Sequence, residues 1–330
     1  MNNKVKFIKK LKGGSLSSTS VVMMPGGEYR VRKSVSRKSE REHGLVRWHS
    51  QIRRMQQIHK YLPDNSPIIK EIGVENDTFY YDIPFYEKSV NIFEYLSKEG
   101  SDKGIELFEQ VNELIKEYSS ISFGRVKGSF SVFLAEEVNE RLFNVTDALQ
   151  KAHNQGSITK EESKFINSKI PSTLKLINTA ILKYGYIGIN ESLTHGNLTL
   201  ENMLYSEYDK NIILIDPYSE TYCESVLGDY SQLMQSTVSS YESVVLLGEN
   251  GIVNLNSNPP LICNEGVESF GRTLMKNLSN LEPEHLFILN LFHAAQFIRM
   301  FPFKIGKTPR LALHFLLHGI SIIEETFSNS

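Results

Sequence analysis

The chain has 330 residues, of which 40% are hydrophobic, 10% aromatic and 22% charged, and its formal net charge at pH 7 is −2. This composition excludes a disordered, collagen-like or fibrous chain, and the length predicts about two domains. No uninterrupted apolar run approaches the ~18 residues of a membrane helix, the basic start has no apolar segment behind it, and two cysteines are too few for a disulfide framework, so we expect a cytoplasmic protein with no membrane partner.

The charge is divided unevenly along the chain. Residues 1–60 carry 15 basic and three acidic side chains, whereas the remainder carries 21 basic and 35 acidic ones. A basic first part suits either a nucleoside triphosphate or a nucleic acid, and an acidic second part suits metal ions or a cationic substrate. We rank nucleic acid last, because the basic segment shows no interleaved aromatic residues and no recognised nucleic-acid module.

The first 86 residues are predicted to be rich in strands. One helix is expected over residues 39–62, where apolar residues recur every three or four positions and two prolines follow. Alternation of residue types and turn-forming residues predict the strands. The predicted strands are residues 5–11, 20–24, 29–35, 68–74 and 78–82.

Helices are predicted to dominate from residue 87 onward. Short strands return at residues 202–205 and 212–215, and helices complete the chain. The expected fold is therefore α+β with two lobes, a small β-rich lobe over residues 1–86 and a larger, mostly helical lobe over residues 87–330.

Two charged residues of the first lobe are predicted to face inward. Lys33 lies on the alternating third strand, and Glu42 lies three residues before Leu45 on the apolar stripe of the helix. An inward-facing carboxylate needs a partner, and Lys33 is the expected one.

The polar segment around residue 195 carries the strongest chemical signal. It contains His195, Gly196, Asn197 and Asn202, and an apolar strand ending at Asp216 follows. Mg²⁺ prefers hard oxygen ligands and keeps several waters, so one amide oxygen, one carboxylate and nucleotide phosphates suffice to hold it.

This pattern resembles the catalytic loop and metal site of the aminoglycoside phosphotransferase and choline kinase family, small-molecule relatives of protein kinases. The resemblance implies a bilobal protein-kinase-like fold that uses ATP, or another nucleoside triphosphate, with Mg²⁺. The γ-phosphoryl group would pass to a hydroxyl of a small molecule such as an amino sugar, an antibiotic, a choline-like compound or a surface-glycan precursor. Asn202 and Asp216 would be the metal ligands, and His195 would support the loop.

The same resemblance implies further roles, for which the signal is weaker. Lys33 would hold the α- and β-phosphates, paired with Glu42, and Asp229 would brace the catalytic loop from the start of a helix. The loop after the first strand would cover the phosphates, and the end of the fifth strand would hydrogen-bond adenine through its backbone. The residues implied in these last two roles are Gly14, Ser15 and Ser17 in the loop, and Asp82 and Ile83 in the strand.

The chain departs from the family pattern at Asn197, where the family has its catalytic Asp. An amide orients a hydroxyl but does not accept its proton. Either the natural protein carries Asp and this chain was changed to trap a complex, or the protein is naturally impaired. We favour the first account, because every other element of the pattern is present. A pseudokinase that binds nucleotide and acts as an interaction or regulatory module is the alternative function. The acceptor and the oligomeric state stay open.

Several other polar residues are given structural interpretations. His314 and His318 lie one helical turn apart with no third ligand in evidence, so they are expected on a core or surface helix. The arginines of the first 60 residues are predicted to be mostly solvated. These are Arg30, Arg32, Arg37, Arg41, Arg47, Arg53 and Arg54.

Overall fold

The computed structural model describes residues 5–11, 17–36, 42–219, 221–249 and 264–329. The predicted phosphate-covering residues Gly14 and Ser15 lie outside these ranges, and the side chain of Glu42 lies outside the described part as well. The predicted ion pair between Lys33 and Glu42 therefore stays a prediction.

A five-stranded antiparallel sheet occupies the start of the chain, with strand order β1-β2-β3-β5-β4. The turn between β2 and β3 places Gly27 at φ +85°, and the turn between β4 and β5 places Asn76 and Asp77 at φ 48° and 60°. Positive φ at both central residues suits a tight hairpin, and Asn and Asp tolerate it. The strands are β1 (Lys6–Leu11), β2 (Ser18–Met23), β3 (Tyr29–Ser36), β4 (Glu71–Glu75) and β5 (Thr78–Pro84).

Helix α1 (Glu42–Tyr61) covers one face of this sheet. Four of the apolar positions that the three- and four-residue spacing predicted pack on the sheet, namely Leu45, Trp48, Ile52 and Met55. The buried cluster consists of Val35, Trp48, Ile52, Met55, Tyr81 and Ile83.

Two smaller sheets contain strands far apart in sequence. β6 (Val90–Asn91) pairs with β9 (Met203–Ser206), which pairs with β10 (Asn211–Leu214), and a 3₁₀ turn at Leu200–Asn202 precedes β9. β7 (Ser122–Lys127) pairs with β8 (Gly188–Ser192). The sequence analysis missed β6, β7 and β8, because they are short and their partners are distant.

The rest of the described chain is mostly helical. A π-helical turn at Ala135–Asn139 joins α4 to α5. The helices are α2 (Ile92–Leu96), α3 (Ser101–Ser119), α4 (Ser129–Leu134), α5 (Glu140–Phe143), α6 (Val145–Asn154), α7 (Lys160–Tyr184), α8 (Val226–Thr237), α9 (Tyr241–Glu249), α10 (Glu265–Leu278), α11 (Pro283–Ile298), α12 (Phe301–Lys304) and α13 (Pro309–Ser328).

The contacts divide the chain into two compact units. The first contains Met1–Ile92 and His195–Glu220, and the second contains Phe93–Thr194 and Thr221–Ser330. The sequence predicts two continuous lobes with one boundary after residue 86, whereas the first unit is discontinuous and also contains a later segment of the chain. The reason is the pairing of β6 with β9, which joins residues more than 100 positions apart.

One apolar stretch stands out in the second unit. Among the described helices, Pro283–Lys304 is long and apolar enough to cross a membrane by length and composition, and 67% of its most apolar window is buried inside the structure. The sequence predicts a nearly all-apolar, buried helix over residues 286–300, and that segment lies inside this stretch. Its first helix, α11, packs against α8 and α13, as the central helix of a globular core does.

Candidate functional site

An ion pair between Lys33 and Asp216 lies at the centre of the candidate site. The alternation of β3 turns Lys33 to the buried face of the strand, where it is 5% exposed. Asp216 follows the end of β10 and has a left-handed backbone, with φ of 55°. The Lys33 Nζ atom lies 2.6 Å from Asp216 Oδ1. This left-handed conformation is uncommon outside glycine, and aspartate is among the residues that tolerate it.

Burial and pairing act on the charges of this pair in opposite directions. Burial lowers the pKa of Lys33 below its usual value, and Asp216 opposes that effect. Burial alone would raise the pKa of Asp216, but the ammonium group of Lys33 brings it below its usual value. The carboxylate is therefore ionised at neutral pH, and its side chain stays 30% exposed to solvent.

The loop His195–Asn197 is fixed by burial and by close backbone contact. Burial lowers the pKa of His195 to about 3, although the charge of Asp216 and backbone hydrogen bonds with Ile215 and Asn197 act in the opposite direction. The imidazole is therefore neutral. Gly196 has φ of 74°, and a Cβ atom at this position would clash with the carbonyl oxygen of Tyr218. Only glycine adopts this positive φ and fits against the Tyr218 carbonyl without strain.

Hydrogen bonds join this loop to the segment around Asp216. The Tyr218 N–H donates to the carbonyl of His195 at 2.8 Å, and Asn197 Nδ2 donates to the carbonyl of Asp216 at 3.0 Å. Asn202 Nδ2 donates to the carbonyl of Asn197 at 2.8 Å. The loop around His195 and the segment around Asp216, which lie about 20 positions apart in the sequence, therefore form one hydrogen-bonded network.

Asn202 and Asp216 form a pair of oxygen donors that fits a hard divalent cation. The amide nitrogen of Asn202 is engaged with the loop, which leaves its Oδ1 as the acceptor end, and the Ile215 N–H donates to the Asn202 carbonyl at 2.9 Å. Within the described residues, no group of three His, Cys, Asp or Glu side chains is placed to hold a metal ion. A Mg²⁺ ion at Asn202 and Asp216 would therefore depend on phosphate oxygens and waters for its remaining ligands.

Helix α1 contributes polar groups to the segment after Asp216. Ser50 Oγ lies 2.9 Å from Ser219 Oγ and accepts a hydrogen bond from the Ser219 N–H at 3.0 Å. Arg53 Nη2 donates to Ser219 Oγ at 3.0 Å. The guanidinium carbon of Arg47 lies 5.2 Å from the centre of the Tyr218 ring. Sequence reasoning missed these contacts, since nothing in the local pattern shows which side chains of a helix face a segment 170 residues later.

The two residues predicted to bind adenine through their backbone lie inside the sheet, and that role stays a prediction. Asp82 and Ile83 lie within β5, and Ile83 pairs with Val31 of β3. The carbonyl of Asp82 accepts a hydrogen bond from the Lys70 N–H at 2.8 Å, so it is already engaged in the protein. The Asp82 carboxylate is fully buried and accepts hydrogen bonds from Arg32 Nε and Nη2 at 2.8 and 2.9 Å. The role of Asp82 in this structure is a buried ion pair.

The expectation that the arginines of the first 60 residues are mostly solvated is wrong for part of them. Arg32 is occupied with Asp82, and Arg54 on α1 is 2% exposed. Arg30 is paired with Glu28, at 2.7 Å between Nη2 and Oε2. Their partners come from hairpin pairing and helix packing, which charge counting along the chain does not capture.

Two predicted site residues remain to be described. Ser17 comes directly before β2 and is half-buried. Asp229, in the second unit, lies in the first turn of α8, is fully buried and accepts a hydrogen bond from Tyr118 Oη at 2.8 Å. The phosphate-covering role of Ser17 and the bracing role of Asp229 stay predictions.

Comparison with known proteins gives the fold. No protein-family model matches the sequence, and no curated protein matches it. Solved structures do match. A predicted fructosamine-3-kinase from Thermobifida fusca YX-ER1, 10% identical, covers 98% of this chain and 95% of its own with a TM-score of 0.53. A second, from Haemophilus somnus 129PT, is 13% identical over 98% and 92% with a TM-score of 0.56.

An antibiotic-bound structure matches over a similar span. The gentamicin complex of APH(2″)-IIa is 15% identical and covers 98% of this chain and 91% of its own, with a TM-score of 0.54. At these identities the likeness establishes the fold. The chain therefore has the α+β, protein-kinase-like fold of these small-molecule kinases.

Proposed function

We propose that this chain is a phosphotransferase that moves the γ-phosphoryl group of a nucleoside triphosphate, with ATP the first expectation, to a hydroxyl of a small molecule. The observation that carries the proposal is the 2.6 Å ion pair between Lys33 and Asp216, joined by hydrogen bonds to the loop of Asn197 and Asn202. A buried lysine beside a partly exposed carboxylate and an amide, in a kinase-like fold, suits a phosphate tail with a divalent cation.

The proposed reaction needs little covalent chemistry from the protein. The acceptor oxygen bonds to the γ-phosphorus, the bond from that phosphorus to the bridging oxygen breaks, the nucleoside diphosphate leaves with the electron pair, and the acceptor proton is released. Lys33 neutralises phosphate charge, and the fixed loop orients the acceptor hydroxyl. Bound Mg²⁺ supplies further positive charge to the phosphates, and Asn202 and Asp216 are the residues to hold it.

Asn197 sets the expected rate. Its amide hydrogen-bonds a hydroxyl but takes no proton, and loss of a positioned base costs ~10²–10⁴-fold. We therefore propose slow turnover in this sequence.

The class of acceptor is proposed from the acidic excess of residues 61–330 and from the molecules named for the matched structures. Residues 61–330 carry 21 basic and 35 acidic side chains, which favours a cationic, amine-bearing acceptor. A fructosamine-3-kinase and a gentamicin complex are among the matched structures. Amino sugars, glycated amines and aminoglycosides are therefore the first acceptors to test, followed by choline-like compounds and glycan precursors.

One observation favours a second candidate function, a nucleotide-binding pseudokinase with a regulatory role. Asn197 Nδ2 donates to the carbonyl of Asp216 at 3.0 Å, and an ionised aspartate has no proton with which to make that bond. The loop is thus compatible with an amide as the resident side chain, as expected for a protein that does not depend on a base at this position.

A single assay separates the two candidates. The release of ADP from MgATP is measured for the parent chain and for Asn197→Asp across the acceptor panel, with Asn280→Asp, at an exposed position, as the control. The phosphotransferase predicts acceptor-dependent ADP release that rises by about 10²-fold or more in Asn197→Asp. MgATP binding without acceptor-dependent release in either form supports the pseudokinase. Absence of nucleotide binding contradicts both.

A further inference from the structure

Arg47 contacts the segment that follows Asp216, and among the described residues no carboxylate pairs with it. It extends from α1 toward the ring of Tyr218, 5.2 Å away, and Tyr218 is hydrogen-bonded to His195 within the site. In the part of the chain that the structure describes, Arg47 forms no ion pair.

Among the described residues, the charge in this neighbourhood is unbalanced. Lys33 contacts Asp216, and Arg47 contacts Tyr218 two residues further along the chain. Two cations therefore lie near one described carboxylate, and a surplus positive charge in a half-buried site attracts an anion. A guanidinium fits phosphate oxygens particularly well, because its N–H groups form a planar fork.

Tyr81 adds an independent observation. It lies directly opposite Lys33 in the pairing of β3 with β5, and its side chain is fully buried. Its hydroxyl has no hydrogen-bond partner within the described residues. Burial raises the pKa of Tyr81 well above its usual value, with Asp216 adding to the effect, so the hydroxyl keeps its proton and remains a donor. A buried donor without an acceptor costs about 1–3 kcal/mol.

These observations fit one kind of ligand. An anion with several oxygens would neutralise the charge of Arg47 and also accept a hydrogen bond from the Tyr81 hydroxyl. A neutral base or sugar ring would accept that hydrogen bond but would leave the charge of Arg47 unpaired. We propose that Arg47 and the Tyr81 hydroxyl bind the phosphate tail of the nucleotide together with Lys33. This inference rests on the proposed function and names two further residues of its phosphate-binding site.

The test measures MgATP affinity by calorimetry for the full chain and its variants. Arg47→Met is expected to raise the Kd about 10-fold, and Arg47→Lys, which keeps the charge, is expected to stay within about 3-fold of the parent. Tyr81→Phe is expected to raise the Kd about 3-fold. Arg272→Met, on an exposed helix face, controls for net charge, and Tyr61→Phe controls for loss of a hydroxyl. Thermal unfolding verifies that each variant is folded.

Each outcome has a defined meaning. Weak binding by Arg47→Met with recovery in Arg47→Lys supports the charge role of Arg47. Equal affinities for Arg47→Met and Arg272→Met overturn it, and so does equal weakening in Arg47→Met and Arg47→Lys, which indicates a packing role. An unchanged Kd in Tyr81→Phe overturns the assignment of Tyr81. Parent protein that binds no MgATP overturns the proposed function itself, whereas a binding parent with unaffected variants overturns only this inference.

Discussion

Buried histidines occur in two regions of this molecule, and the groups around them differ. In the first unit, His195 belongs to the loop next to the charged pair of Lys33 and Asp216. In the second unit, His293 of α11 and His318 of α13 share the hydroxyl of Ser239, at 3.0 and 2.7 Å from their Nε2 atoms. Each region has one fully buried imidazole ring, and among the described residues of the two regions the contact between opposite charges lies in the first.

The second region is a neutral network. A hydroxyl with one proton donates to one imidazole and accepts from the other, so Ser239 satisfies both rings when one of them carries its proton on Nε2. The ring of Phe297 packs edge-on against His318, with centroids 4.7 Å apart. Burial lowers the pKa of His293 to about 3 and that of His314 to about 4.

The difference shows which features mark a candidate site. In the second region polar groups satisfy one another and need no ligand. In the first region a charged pair, a carboxylate on left-handed backbone and a glycine that tolerates no side chain occur together. A buried histidine on its own is therefore a weak indicator of function, whereas a buried charged pair beside it is a stronger one.

The largest effect expected of a single substitution tests the backbone of the first region. Gly196→Ala is expected to lower the free energy of unfolding by about 3 kcal/mol, because a left-handed alanine costs about 1–2 kcal/mol and overpacking costs about 1–3 kcal/mol more. Gly27→Ala is the matched control, since Gly27 also has positive φ but open space around it. Urea denaturation measures both, and equal losses would show that the contact with Tyr218 is unimportant.

An intermediate effect tests the burial that the two regions share. The folded pKa values of His195 and His293, about 3, lie below the ordinary value of 6.5, so the unfolded chain binds more protons between these limits. The free energy of unfolding should therefore fall as the pH drops from about 6.5 toward 3, by at most about 1.4 kcal/mol per pH unit for each histidine. This stability is fully present above the unfolded pKa.

A variant assigns part of that pH dependence. His293→Gln should reduce the slope by the contribution of one histidine, and Ser279→Ala, at an exposed position, should leave the slope unchanged. Denaturant titrations at pH 6.5, 5.5 and 4.5 measure the slopes. If His293→Gln keeps the parent slope, the second region opens before its histidine is protonated, and the two regions differ in stability as well as in charge.

The smallest expected effect tests the neutral network. Ser239→Ala removes the shared hydroxyl and should cost about 1–2 kcal/mol, because it leaves two imidazole nitrogens with a lost partner in a buried setting. Ser279→Ala, which removes a hydroxyl bonded to a helix carbonyl at an exposed position, is the control. Equal stabilities of the two variants, measured by thermal unfolding, would mean that the histidines are satisfied without Ser239.

The sequence predicted the features of this molecule that depend on local pattern. Alternation located β3 and the inward face of Lys33, the three- and four-residue spacing located α1, and an apolar run ending in a carboxylate located Asp216. Each of these signals lies within a window of some 20 residues. The α+β fold that they implied is confirmed by the structure and by the matched kinases.

Features that depend on distant pairing were not predictable in this way. Asp82 looked like a linker residue, because its partner Arg32 is 50 positions away on a neighbouring strand. The positions of Arg47 and Tyr81 depend on how α1 and β5 pack around Lys33. The strands β7 and β8 have mixed composition and acquire their structure only by pairing with each other across 60 residues.

The discontinuity of the first unit has a consequence for synthesis on the ribosome. Its sheet of β6, β9 and β10 spans residues 90 to 214, so the nascent unit lacks two of these three strands until the segment 203–214 has emerged. Contacts of such long sequence separation slow folding, because a long loop must close before they form. The sheet of β6, β9 and β10 therefore stays incomplete in the nascent chain until more than 100 residues after β6 have been translated.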